Sequence, residues 1–166
     1  QLASHCDMYD RLAATVAQQD ITEDVARSTI LQLVGSPMLP GIIGGDLRGD
    51  IHLAVVCDST TNLSRYERGI MELTPVESYH MNGTNTSLAG VIGNVAGGNL
   101  SKGPLLNESV ELTLIEQFDS VRKQTQNAFQ QVLDTSEYSF TKSNYRETVA
   151  ASGSIFIGTN AKYGNF

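Results

Sequence analysis

Tryptophan is absent from the 166 residues, cysteine occurs only twice, and eleven basic residues face eighteen acidic ones. Each scarcity excludes something. The net charge of −7 argues against nucleic acid as a partner, because phosphate recognition rests on clustered lysine and arginine, and here they are scattered along the chain. Anionic membrane surfaces are disfavoured on the same ground. No run of eighteen apolar residues occurs, so no transmembrane segment is expected in this stretch. No secretory leader opens the sequence at Gln1, so a secreted form would already have lost it.

Chemical signatures are missing too. Neither G-x-G-x-x-G nor the phosphate loop G-x-x-x-x-G-K-[ST] occurs, nor a G-x-S-x-G nucleophile elbow, nor an H-E-x-x-H zinc pair. The glycine-rich stretch Met38 to Asp50, with Gly41, Gly44, Gly45 and Gly49, lacks phosphate-loop spacing. The three histidines, His5, His52 and His80, show no metal-ligand spacing. No cofactor and no metal is therefore expected.

What the chain does have points outward. Five Asn-X-Ser/Thr triplets, at Asn62, Asn82, Asn85, Asn99 and Asn107, exceed the roughly two expected by chance from such a composition. Four of them fall between Asn82 and Ser109, which reads as a small-residue loop from which glycans would project. The two cysteines, Cys6 and Cys57, then suggest an oxidising compartment and a single disulfide. Closing a loop of about fifty residues would stabilise the fold by roughly 4 kcal/mol. Arg48-Gly49-Asp50 spells a tripeptide displayed by extracellular ligands of integrins, and marks a weak candidate for partner binding.

Periodicity places the elements. Met8, Leu12 and Val16 recur every four residues in a helix from Ser4 to Gln19. A second helix begins at Thr22 and stops at Gly35, ahead of Pro37 and Pro40. Ile51 to Cys57 reads as a buried strand, Ile70 to Leu73 as another, resumed through Tyr79. A strand to about Ile115, a helix over 116–133 and a terminal strand over 145–159 complete the order. This predicts one secreted α+β domain over residues 1–166, with two N-terminal helices and one later long helix packed on a mostly antiparallel sheet.

The expected function is a secreted or cell-surface glycoprotein with a structural role: an adhesion module, a coat component or a subunit of an extracellular filament assembly, engaging a protein partner or further copies of itself. Two alternatives stand beside it. One is a secreted hydrolase in which His52, flanked by Asp50 and Asp58, works as a base with an acidic partner. The other is a carrier of a small apolar ligand between helices and sheet.

Overall fold

The computed structural model describes residues 2–17, 21–35, 49–58, 62–142 and 145–161. Two helices lead, α1 (Leu2–Val16) and α2 (Glu23–Val34), the second ending at Gly35 with φ +57°. Strand β1 (Leu53–Cys57) passes into α3 (Leu63–Leu73), and β2 (Ser78–Asn82) follows. The short helix α4 (Leu88–Val91) precedes a hairpin of β3 (Gly93–Ala96) and β4 (Asn99–Lys102). Then come β5 (Leu112–Glu116), α5 (Lys123–Thr135), a second hairpin of β6 (Glu137–Lys142) and β7 (Tyr145–Ala150), and β8 (Ser154–Asn160).

The main sheet runs β1-β8-β5-β2, and every neighbouring pair in it is parallel. The expected mostly antiparallel α+β sheet is therefore wrong: this is an α/β fold, with antiparallel pairing confined to the two hairpins. The physical reason lies in β5. Leu112, Thr113, Leu114 and Ile115 are all buried, as they must be in a strand covered on both faces. Leu112 and Leu114 join Phe156, Val55, Leu63, Tyr66 and Ile70 under the first three helices. Ile115 and Ile155 join Phe129, Val132, Val91 and Leu106 on the opposite face.

Three readings differ from the structure, the first being the expected loop from Asn82 to Ser109, which holds α4 and the β3–β4 hairpin. Ile70 to Leu73 is the last turn of α3, whose inward face is Leu63, Tyr66, Glu67 and Ile70. The segment 145–159 is two strands, separated by Gly153 at φ +92°. Among the described residues no helix is long and apolar enough to cross a membrane.

Candidate functional site

Parallel strands share a polarity, so their carboxyl ends lie together along one edge, where open α/β sheets bind ligands. Here that edge is polar. Cys57 is in register with Asn160, and Asn82 with Glu116; Asp58 follows the first strand directly.

Helix α3 begins above this edge and lowers two side chains toward it. The Ser64 hydroxyl hydrogen-bonds the Glu116 carboxylate. One turn further on, Glu67 is fully buried and neither of its carboxylate oxygens has a partner. His80, from β2, places Nε2 3.6 Å from Glu116 Oε2. The ligating atoms of Glu67, His80 and Glu116 all lie within 4.8 Å of one another. Burial, and then the charge of Glu116, push the Glu67 carboxyl up to about 8, since a carboxylate out of water and beside another is disfavoured. Burial raises the Cys57 thiol as well, helped by Asp58 and Glu67. Gly158 on β8 makes the room: a Cβ there would stand 1.9 Å from Glu67 Oε1 and 3.0 Å from Leu63 Cδ2.

The residues singled out from sequence lie elsewhere or serve differently. The Nδ1 of His52 accepts the Ile155 amide at 3.1 Å, so that nitrogen ties β1 to β8. Gly49 is buried and Asp50 half-buried, while Arg48 of the same triplet lies outside the described residues. Cys57 is a free thiol; the side chain of Cys6 also lies outside them. Three of the five triplet asparagines bond their own backbone. Asn62 accepts from the Arg65 amide at 3.3 Å, Asn82 from Thr84 at 2.9 Å and Asn107 from Ser109 at 3.2 Å. Asn85 sits in a 3₁₀ turn after β2 and Asn99 opens β4. The sequence reading missed Ser64, Glu67 and Glu116. The available signal was a buried strand that breaks into a polar turn before a helix, with a second buried strand ending on an acid.

The sequence profile of the MCM P-loop domain family matches residues 1–166. The chain is similar over its whole length to the DNA replication licensing factor MCM7 of Oryza sativa subsp. indica, at 24% identity and 24% of that protein. The Arabidopsis thaliana MCM7 is 22% identical, again across the whole chain. The maternal DNA replication licensing factor mcm6 of Xenopus tropicalis is 25% identical over 87% of the chain and 18% of that protein. The chain thus spans about a quarter or less of the curated relatives it matches.

These matches overturn the secreted reading: the adhesion or filament function, the extracellular location and the exclusion of nucleic acid as a partner. Relatives named as DNA replication factors are neither adhesion modules nor filament subunits. The net charge misled because it averages a whole surface of one segment, and says nothing of a larger protein or assembly. The triplet excess misled because Asn followed by Ser or Thr also makes local caps and Asx turns. With the compartment goes the argument that motivated a Cys6–Cys57 bridge.

A P-loop is a strand, the segment G-x-x-x-x-G-K-[ST] and a helix, and β1, residues 58–62 and α3 have that layout. Aligned on Ser64, the motif's glycines fall on Cys57 and Asn62 and its lysine on Leu63. That lysine reaches the phosphates; Leu63 is 5% exposed and packed in the core. The Asn62 side chain takes an amide at the start of α3 that a phosphate would use. Asp58 and Glu116 add negative charge, while Arg65 and Arg68 stand on the exposed face of the helix. Only the Ser64–Glu116 contact keeps the hydroxyl and acid that hold magnesium in P-loop proteins. The described residues do not fit a nucleoside triphosphate held in the P-loop manner.

Proposed function

The chain belongs to the MCM P-loop domain family, and from that premise we propose that it serves DNA replication as a non-hydrolysing domain, a structural member of an assembly on DNA. It acts where the DNA is, which in plants and frogs is chiefly the nucleus. The carrying observation is Leu63, a buried apolar side chain at the lysine position, where strand β1 is followed by helix α3 as in a P-loop. Leu63 carries no charge to offset what develops at that position on a transferred phosphoryl group. The family membership supplies the replication context, and the missing cation supplies the division of labour.

Two measurements on the purified chain test the two halves. Release of phosphate from ATP is expected to stay at buffer background, with and without DNA; sustained turnover would sink the non-hydrolysing half. Mixed with an MCM-type protein whose P-loop is intact, the chain is expected to co-elute with it in size-exclusion chromatography and to travel with its DNA complex. Failure to associate with any such protein would remove the assembly half.

A further inference from the structure

We propose that Glu67, His80 and Glu116 form a binding site for one divalent transition-metal ion of the zinc class, independent of any nucleotide. The site is drawn from three elements: α3 supplies Glu67, β2 supplies His80 and β5 supplies Glu116. Their ligating atoms already lie within 4.8 Å of one another. Shifts of less than about 1 Å per side chain bring them to bonds of roughly 2.1 Å around a shared ion.

Glu67 is the observation that points to a ligand. A carboxyl taken wholly out of water with both oxygens unpartnered is costly unless something opposes it. Yet this one is accommodated by a glycine whose Cβ would occupy the same space. The two carboxylates and one imidazole define the ion. Magnesium and calcium favour oxygen ligands alone, whereas a mixed nitrogen and oxygen set suits zinc and its neighbours. Three protein ligands also leave a fourth position for water.

An outer contact orients the set. Ser64 bonds Oε1 of Glu116 while Oε2 faces His80, so the hydroxyl fixes which oxygen turns to the ion. His80 and Glu116 are partly exposed, which gives the ion a way in. The ion would neutralise the paired acids. The arrangement differs from the magnesium site of a P-loop protein in its nitrogen ligand, in Glu67 and in needing no triphosphate.

Isothermal titration of the metal-stripped chain with ZnCl2, without nucleotide, tests this. One zinc per chain is expected, weakened at least ~100-fold in Glu67→Gln and in His80→Ala, and ~10–100-fold in Ser64→Ala, the usual loss for an outer partner. Circular dichroism verifies that each variant is folded. The wild-type chain decides the matter even if a variant unfolds: no stoichiometric zinc binding overturns the proposal. So does zinc binding that is unchanged in folded Glu67→Gln and His80→Ala. Binding of magnesium alone, and only when ATP is present, also overturns it. None of these outcomes bears on association with DNA or with an MCM partner, so the two readings fail separately.

Discussion

Glu67 is where residue-scale physics is least ordinary. Around it stand Glu116 and His80 on neighbouring strands and Cys57 at the end of β1. Its carboxyl titrates near 8 when folded, against an ordinary value of 4.5, so between those values the folded chain holds a proton that the unfolded chain has lost. The group's contribution is fully present below about pH 4.5 and is lost as pH rises through about 8, by up to about 1.4 kcal/mol per pH unit. In chelator, the urea midpoint of the wild-type chain should therefore fall from pH 5 to pH 8, and that of Glu67→Gln should fall markedly less. Parallel curves would show that Glu67 is solvated. Gly158 belongs to the same argument. Gly158→Ala drives a Cβ into Glu67 Oε1 and toward Leu63, and overpacking of this kind costs about 1–3 kcal/mol. In a Glu67→Ala background the cost should shrink, a coupling that a double-mutant cycle reads directly; additive losses would place the strain elsewhere. Neither residue was legible from sequence, because only the fold brings residue 67 against residue 158.

Helices and strands were partly legible, and the failures have local causes. α2 ends at the expected glycine because only the left-handed region closes it there. α3 was hidden by Glu67, a charged residue on its inward face, which broke the apolar period of Leu63, Tyr66 and Ile70. Its start was hidden as well, because Asn62 was weighed as a glycan acceptor and not as the cap that it forms. Asn62→Ala should cost about 1 kcal/mol in a denaturant titration, while Asn62→Asp keeps the acceptor and most of the stability. Equal losses in both would show that the cap does not stabilise the helix. The terminal strand reading failed at Gly153, where φ of +92° and a would-be Cβ 2.6 Å from Val110 O demand glycine. Gly153→Ala should cost about 1–2 kcal/mol or more, seen as a lower melting temperature. An unchanged melting temperature would mean that the β7–β8 turn is free to relax.

At the scale of the whole molecule, the parallel sheet was unreadable mainly because β1 and β8, or β2 and β5, are distant in sequence and nothing local states their direction. The continuous burial of Leu112 to Ile115 was the one strong clue, and Thr113 disguised it as alternation. Net charge misled about nucleic acid, and where the phosphate contacts lie sets the last prediction. Each phosphate neutralised contributes about 0.9 to the slope of log affinity against log salt. Fluorescence anisotropy with a labelled duplex at ~0.15 M salt should therefore rise when the chain and an MCM-type partner are added together, with a salt slope that counts the phosphates the pair contacts; no rise would sink the placement on DNA. Tight, steeply salt-dependent binding by the chain alone would mean that a local basic surface, such as the Arg65 and Arg68 face of α3, outweighs the net charge. DNA contact would then reside in this domain itself and would not be contributed by its partners.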